Sequence, residues 1–190
     1  MTHLTKTELD EIISQTPFKG DTFPVFIETG TYRGETIFKM EPFFDSLHTI
    51  EINEKFFNNC KEQYKGSKIA FHLGNSSEVL PQIISTVKEN VIFFLDGHWS
   101  SQETGRGDKD VPLLEELDSI NVQSGGKALI IIDDYRLFGR HPKALLKRNY
   151  CKEDWRAITK RSLTSRVRSR LSSKFVHGDR FVICINGLKP

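Results

Sequence analysis

The chain has 190 residues, and its 27 lysines and arginines nearly balance its 25 aspartates and glutamates, for a formal net charge of +2. This balance excludes a strong overall attraction to nucleic acid or to an anionic membrane, and no apolar run reaches the roughly 20 residues needed to cross a bilayer. The three cysteines are odd in number and show no C-x-x-C spacing, which predicts neither a disulfide framework nor a zinc site. We therefore expect one soluble, cytoplasmic domain over residues 1–190.

Short apolar runs alternate with helical patterns along the chain. Strands are predicted, in chain order, over Val25–Glu28, Leu47–Ile52, Lys68–Leu73, Val91–Leu95, Ala128–Ile132, Lys174–Val176 and Arg180–Ile185. Helices are predicted from a first glycine turn through Phe38 and Met40, and over Asn53–Tyr64, Ser76–Val87 and Asp110–Ile120, with Asn53 and Ser76 as N-caps. The alternation predicts an α/β fold: a doubly wound, Rossmann-like, mostly parallel seven-stranded sheet with helices on both faces and a C-terminal antiparallel hairpin.

A glycine turn follows the first predicted strand, in the sequence I-E-T-G-T-Y-R-G-E-T from Ile27 to Thr36. Gly30 and Gly34 permit tight bending and close approach of a ligand to the backbone. Their G-x-x-x-G spacing differs from the G-x-G-x-x-G of dinucleotide-binding folds. Glu28, just before the turn, would repel a pyrophosphate and attract a cation such as a sulfonium or an amino group. The turn therefore predicts an adenosyl, zwitterionic ligand.

A second carboxylate supports this prediction. Glu51 ends the next predicted strand 21 residues after Gly30, close to the roughly 20-residue interval at which an acidic side chain binds ribose hydroxyls. Thr31 and Thr36 add hydroxyls near the first turn of the helix that follows the glycines. We expect these groups to hold the ligand together.

The motifs, taken in order, resemble those of the class I S-adenosylmethionine-dependent methyltransferases over about Val25 to Asp134. The matching pieces are E-T-G-T-x-x-G-x-T, then I-E, then L-G-N-S from Leu73, then F-L-D-G-H from Phe94. In that family the first loop holds the methionine moiety, the acidic strand end binds ribose and the third strand end meets adenine. The cofactor-binding residues expected on this basis are Glu28, Gly30, Thr31, Gly34, Thr36, Glu51, Asn75, Ser76 and Asp96. Many members have Asp where this chain has Asn75, whose amide can both donate and accept.

Carboxylates also follow the fourth and fifth predicted strands, at Asp96, Asp133 and Asp134. Three such groups in one crevice repel one another unless a cation or a proton intervenes, and oxygen ligands suit Mg²⁺ or another divalent cation. We therefore predict these three as metal ligands, with a metal that polarises an acceptor hydroxyl. The alternative is that they cap helices or pair with Arg106, Arg136 or Arg140.

The pattern after the fourth strand is similar to catechol O-methyltransferase, in which Asp-His-Trp and a later Asp-Asn supply the metal ligands. This chain inserts Gly97 between Asp96 and His98 and has Asp134 in place of Asn. The resemblance implies Asp96 and His98 as catalytic residues, with His98 as general base. Residues from His98 to Leu117 also resemble a group of uncharacterised bacterial methyltransferase-like proteins.

Two further segments point to substrate choice. The polar loop over 100–110 follows the proposed catalytic strand and is interpreted as a lid. Lys160, Arg161, Arg166, Arg168, Arg170 and Lys174 make the region before the last strands basic. With Leu163, Val167 and Leu171 facing inward, the arginines are interpreted as a solvated helix face, the alternative being an anionic partner such as a phosphate-bearing substrate, an acidic protein or RNA.

Together these patterns predict a methyltransferase that uses S-adenosylmethionine and a divalent metal to methylate a hydroxyl of a small molecule. Residues 1–22 would form an N-terminal helical extension and residues 135–174 a variable segment on the substrate side. Two alternative functions stay open: a metal-independent enzyme acting on RNA or protein, and a non-catalytic cofactor-binding module. The oligomeric state also stays open, a homo-oligomer included. A nicotinamide-dependent oxidoreductase is disfavoured, because the chain lacks both G-x-G-x-x-G and a Tyr-x-x-x-Lys pair.

Overall fold

A mixed seven-stranded sheet forms the centre of the protein in the computed structural model, which describes residues 3–99, 107–141 and 153–188. Its strands are β1 (Val25–Thr29), β2 (Ser46–Glu51), β3 (Ile69–Leu73), β4 (Val91–Leu95), β5 (Ala128–Ile132), β6 (Leu171–His177) and β7 (Arg180–Ile185). The spatial order is β3-β2-β1-β4-β5-β7-β6, with the first five strands parallel and β7 antiparallel to both of its neighbours. The predicted fold class is confirmed.

Helices cover both faces of this sheet within the described ranges. They are α1 (Lys6–Ser14), α2 (Glu35–Met40), α3 (Glu54–Gln63), α4 (Ser76–Thr86), α5 (Leu113–Gln123) and α6 (Lys160–Arg166), with 3₁₀ turns at Glu41–Phe43 and Tyr135–Leu137. One apolar cluster packs α4, α5 and α6 against the sheet, and a second packs α1 and α2 against the other face. None of the described helices has both the length and the apolar character needed to cross a membrane.

The helix starts follow local hydrogen bonding. Asn53 caps α3 as predicted, because its side-chain oxygen accepts from the Lys55 amide at 2.9 Å. The prediction of Ser76 as the N-cap of α4 is wrong by one position. Asn75 is the cap: its backbone is extended and its side-chain oxygen accepts from the Ser77 amide at 3.2 Å.

Residues 160–174 change secondary structure part-way, which corrects the predicted helical face. Helix α6 ends at Arg166, and Leu171 already begins β6. Leu163 and Val167 are fully buried as expected, but Leu171 packs from a strand. Antiparallel pairing with β7 outweighs the four-residue apolar spacing in this stretch.

Arg170 is buried rather than solvated, contrary to the expectation for this basic segment. Only 7% of the residue is exposed. Its guanidinium donates hydrogen bonds to the carbonyls of Ile120, Asn121, Ser124, Gly126 and Asn186. The side chain thereby ties the carboxyl end of α5, where carbonyls lack helical partners, to the segment before β5 and to the end of β7.

We expect Arg170→Met to lower the free energy of unfolding by about 2–4 kcal/mol, because it leaves several buried carbonyls without donors. Arg168→Met is the matched control: Arg168 is exposed, and its loss should change stability by no more than about 0.5 kcal/mol. Urea denaturation followed by circular dichroism measures both. Equal midpoints for the two variants would contradict the structural role of Arg170.

Candidate functional site

A cleft opens at the edge of the sheet where the parallel strands end. Its walls come from the turns after β1, β2, β3 and β4, with Gly30, Glu51, Asn75, Ser76, Gly97 and His98 among the lining residues. Strands β1 and β4 are direct neighbours although β2 and β3 lie between them in sequence. The chain therefore reverses direction across the sheet at β1, which is the place where open α/β sheets bind their ligands.

The glycine turn makes this cleft by letting two loops touch. Gly30 has a φ of +86°, and its amide donates to the Ile50 carbonyl at 2.9 Å. A Cβ at this position would lie 2.5 Å from the carbonyl oxygen of Asp96. Gly34, with a φ of +78°, precedes α2, and a Cβ there would overlap the Phe38 ring. Both glycines are thus required by backbone geometry.

Glu28 lies under the turn at the end of a chain of hydroxyls. The Thr49 hydroxyl donates to its carboxylate at 2.8 Å, and the Thr31 hydroxyl lies 2.6 Å from that of Thr49. Thr36 is buried beside them and accepts from the Leu4 amide at 3.3 Å. Burial raises the pKa of Glu28 well above its ordinary value, and the nearby charges of Asp96 and Glu51 raise it further.

Glu51 is held in place by two backbone amides. One carboxylate oxygen accepts from the Tyr32 amide and the other from the Asn53 amide, both at 2.8 Å. Burial raises the pKa of Glu51 while these bonds partly offset the increase. Each oxygen keeps a further lone pair, so the carboxylate can still accept hydrogen bonds from a ligand in the cleft.

Asn75 and Ser76 form the opposite wall. The Asn75 oxygen caps α4, which leaves its amide nitrogen as a donor, and that nitrogen lies 3.1 Å from the position of a Cβ on Gly107. Gly107 also lines the cleft. The Ser76 side chain is buried beneath this wall.

A row of charges follows β4 and β5. His98 lies between two carboxylates, with Nδ1 at 3.4 Å from Asp96 Oδ1 and Nε2 at 3.1 Å from Asp134 Oδ2. Arg136 pairs with both Asp134 and Asp179. Trp155 packs its ring edge-on against His98, at 5.0 Å between ring centroids. Of the arginines predicted to pair with these carboxylates, Arg136 pairs with Asp134, and Arg106 lies outside the described residues.

The three predicted metal ligands, Asp96, Asp133 and Asp134, do not form one group in the structure. Asp96, Asp134 and His98 can each offer a ligand atom within 4.8 Å of the others, whereas Asp133 groups with Asp134 and Asp179. Asp133 also faces Arg180, at 3.7 Å from its Nε. His98 thus stands beside Asp96 and Asp134 where the sequence suggested Asp133.

Burial and charge pairing together set the pKa values of Asp96 and His98. Burial raises the pKa of Asp96 to about 7, with the His98 charge acting in the opposite direction. Burial lowers the pKa of His98, but the hydrogen bond with Asp134 and the charge of Asp96 outweigh it, and the pKa is raised overall. No described residue donates a well-aligned hydrogen bond to Asp96 Oδ1, which is itself buried.

Some residues of the site were missed in the sequence. Tyr32 lines the cleft and supplies the amide that holds Glu51, but its role is a backbone one with no side-chain signal. Lys109 lines the cleft from the end of the predicted lid loop, whose residues 100–106 lie outside the described ranges. Glu116 is fully buried under the cleft. The sequence does indicate its burial, because helical spacing places Glu116 on the same face of α5 as the buried Leu113 and Ile120.

Comparisons of the fold agree with this arrangement. N-methyltransferase NodS from Bradyrhizobium japonicum WM9, in complex with S-adenosyl-L-homocysteine, is 9% identical, with a TM-score of 0.54 over 98% of this chain and 89% of that one. An rRNA methylase from Streptococcus thermophilus is 11% identical, with a TM-score of 0.53 over 100% and 99%. The chain shares the fold of these two methyltransferases.

A third similar structure is the PH0226 protein from Pyrococcus horikoshii OT3, 13% identical, with a TM-score of 0.59 over 96% of this chain and 89% of that one. No family model matches the sequence, and no curated protein matches it either. At these identities the likeness is one of fold.

We expect Gly30→Ala to destabilise the methyltransferase fold more than Gly20→Ala does. Both glycines have positive φ, but a Cβ at Gly20 meets nothing within 4 Å, whereas at Gly30 it strikes the Asp96 backbone. Strain alone should lower the free energy of unfolding by about 1–2 kcal/mol in each variant, and overpacking by about 1–3 kcal/mol more at Gly30. Equal losses in urea denaturation would show that the β1 and β4 turns do not need this close contact.

Proposed function

We propose that the chain is an S-adenosylmethionine-dependent methyltransferase. The observation that supports this most is the meeting of the Gly30 turn and the Glu51 carboxylate in one cleft at the β1 switch point. The fold of the NodS complex with S-adenosyl-L-homocysteine supports it independently.

The residues of the cleft suit this cofactor. Glu51 offers lone pairs for ribose hydroxyls, and the Asn75 amide offers a donor for an adenine ring nitrogen. A second pocket shares Gly30 and Asp96 with the cleft and is also lined by Glu28 and Thr31. A cationic amino acid moiety bound there would favour the ionised form of both carboxyl groups, whose pKa values burial raises. The buried Asp96 Oδ1, which has no aligned donor among the described residues, fits a ligand that donates.

The chemistry asks the chain mainly to position two ligands. Bound S-adenosylmethionine supplies an electrophilic methyl group. The rigid turns after β1 and β4 hold the cleft walls, and alignment of the reacting groups supplies much of the rate. Asp96 lines the cleft and accepts the proton of an acceptor hydroxyl, while His98 and Asp134 behind it orient the carboxylate. Both ring nitrogens of His98 face carboxylates, which favours Asp96 over His98 as the base.

We propose a small-molecule hydroxyl as the acceptor, with divalent-metal assistance as a variant of the same function. The grouping of Asp96, His98 and Asp134 within 4.8 Å supports the variant. Against it, His98 and Arg136 already compensate the two carboxylates by direct pairing.

RNA is the second candidate acceptor. The exposed side chains of Lys160, Arg161 and Arg168 lie on α6 and the turn after it, and the similar rRNA methylase shares the fold. Methylation of ribosomal RNA by the chain, lost in a triple substitution of these residues to Gln, would favour this candidate.

Glu51→Ala should weaken binding of S-adenosyl-L-homocysteine by about tenfold or more, since a carboxylate hydrogen bond contributes about 1.5–3 kcal/mol. Isothermal titration calorimetry measures the affinity, and circular dichroism checks the fold. Glu54→Ala is the control, because Glu54 is exposed on the first turn of α3. Unchanged affinity in Glu51→Ala would remove the ribose assignment.

Asp96→Asn should lower turnover by about a hundredfold or more through loss of the proton acceptor. The mutant should still bind S-adenosyl-L-homocysteine, though more weakly, because the Asn oxygen accepts a hydrogen bond but carries no charge. Turnover is followed as S-adenosyl-L-homocysteine release with an acceptor found by screening hydroxylated metabolites. Repeating the wild-type assay with EDTA, then with added Mg²⁺, separates the metal-assisted from the metal-free mechanism. Turnover that is lost with EDTA and recovered with Mg²⁺ favours metal assistance, and unchanged turnover favours the metal-free mechanism. Normal rates in Asp96→Asn would contradict both.

A further inference from the structure

Glu116 is a carboxyl group enclosed beneath the cleft. None of its surface is exposed, and it lies on the first turn of α5. No described residue makes a well-aligned hydrogen bond to either of its oxygens. Burying an ionised carboxylate that lacks well-aligned hydrogen bonds costs on the order of several kcal/mol. The site therefore favours the neutral acid, and we expect the acid to have a role, since an apolar side chain such as leucine would avoid the cost of burying a polar group.

Three turns that form the cleft meet at this carboxyl. Ser76, at the start of α4, and Thr29, at the end of β1, bring their hydroxyls near enough to lower its pKa. Gly97, after β4, packs against Thr29 and Glu116: a Cβ there would lie 3.0 Å from the Thr29 hydroxyl and 3.5 Å from Glu116 Oε1. Ser76 and Gly97 line the cleft, and Thr29 precedes Gly30, which also lines it.

We propose that Glu116 is a positioning residue that, as a neutral acid, links the turns after β1, β3 and β4 and so holds the cofactor cleft in its binding shape. The inference rests on the proposed function for the identity of the ligand. The protonated carboxyl has one hydrogen to donate and a carbonyl oxygen to accept with, which matches two neighbouring hydroxyls that can each do either. Ionised, it could only accept, and its charge would favour movement of the turns toward water.

Protonation of Glu116 falls in the neutral range. Burial raises its pKa to about 7, against the Ser76 and Thr29 hydroxyls, which lower it. The charged groups that act on it are Glu115 on its own helix, which raises the pKa, and His98 beyond the β4 turn, which lowers it. Thr29 and Ser76 add hydroxyls from β1 and α4. Because the pKa is raised in the folded state, the native cleft is favoured at low pH, and this contribution is lost as the pH rises from about 4.5 through about 7.

The test compares Glu116→Gln, which keeps the shape and a donor, with Glu116→Leu, which keeps only the volume. Asp118→Asn is the control, because it neutralises a half-exposed carboxylate on the same helix. Calorimetry measures S-adenosyl-L-homocysteine affinity at about pH 6 and about pH 8.5, on either side of the titration. Amide hydrogen exchange of the ligand-free proteins measures the order of the Ser76 and Gly97 turns.

We expect the ratio of wild-type to Glu116→Gln affinity to fall by roughly three- to tenfold between the two pH values, because Asp96 titrates in both proteins and its effect cancels in this ratio. Glu116→Leu should bind roughly tenfold more weakly than the wild type at the lower pH. Glu116→Leu should also exchange faster at Ser76 and Gly97, whereas Asp118→Asn should match the wild type throughout. Wild-type affinity in Glu116→Leu, or an unchanged pH dependence in Glu116→Gln, overturns the proposal. If the wild type binds no S-adenosyl-L-homocysteine, the proposed function fails. The positioning role of Glu116 is then tested by amide hydrogen exchange alone, and wild-type exchange rates at Ser76 and Gly97 in Glu116→Leu overturn it.

Discussion

The contact between the backbone of Gly30 and the carbonyl of Asp96 is the constraint on which the site depends. Strands β1 and β4 pair directly, so the turns that leave them emerge side by side. Any Cβ at Gly30 would fill the space between them. Because only glycine also adopts the positive φ of this turn without strain, one residue both lets the two turns touch and opens the cleft beside them. Glu28, Glu51 and Asp96 acquire their relative positions from this contact.

The second organising feature is a concentration of carboxyl groups at one edge of the sheet. Glu28, Glu51, Asp96, Glu116 and Asp133 all have pKa values raised, first by burial. Their compensation comes from several kinds of group: hydroxyls at Glu28 and Glu116, backbone amides at Glu51, a histidine at Asp96 and an arginine at Asp133. A region built in this way favours ligands that bring positive charge or hydrogen-bond donors. The same concentration makes the site sensitive to pH near neutrality, because Asp96 and Glu116 both titrate there.

The strands of the sheet and the turns that line the cleft have different roles. The interior strands β1, β4, β5 and β7 are buried throughout and supply rigidity. The turns supply chemistry, as in other α/β folds, where strands position groups carried by loops. Arg170 and Glu116 make their contacts at opposite ends of α5. Arg170 fixes the far end of α5 through carbonyls, and Glu116 contacts the cleft from the near end of the same helix. Helix α5 is therefore held at both ends by polar side chains rather than by apolar packing alone.

The sequence alone determined the architecture and several of the positions that line the cleft. Buried strands such as Val91–Leu95 are continuous apolar runs, and glycines required by a turn, such as Gly30, stand out because no other residue fits. Local patterns therefore sufficed for the sheet, the glycine turn and Glu51. They could not decide which charges pair across the fold. Only the tertiary structure placed His98 beside Asp96 and Asp134, turned Asp133 toward Arg180, buried Arg170 and put Glu116 under three turns. The physical reason is that burial and pairing of a charged side chain depend on elements far apart in the chain, while strand and turn propensities depend on neighbours.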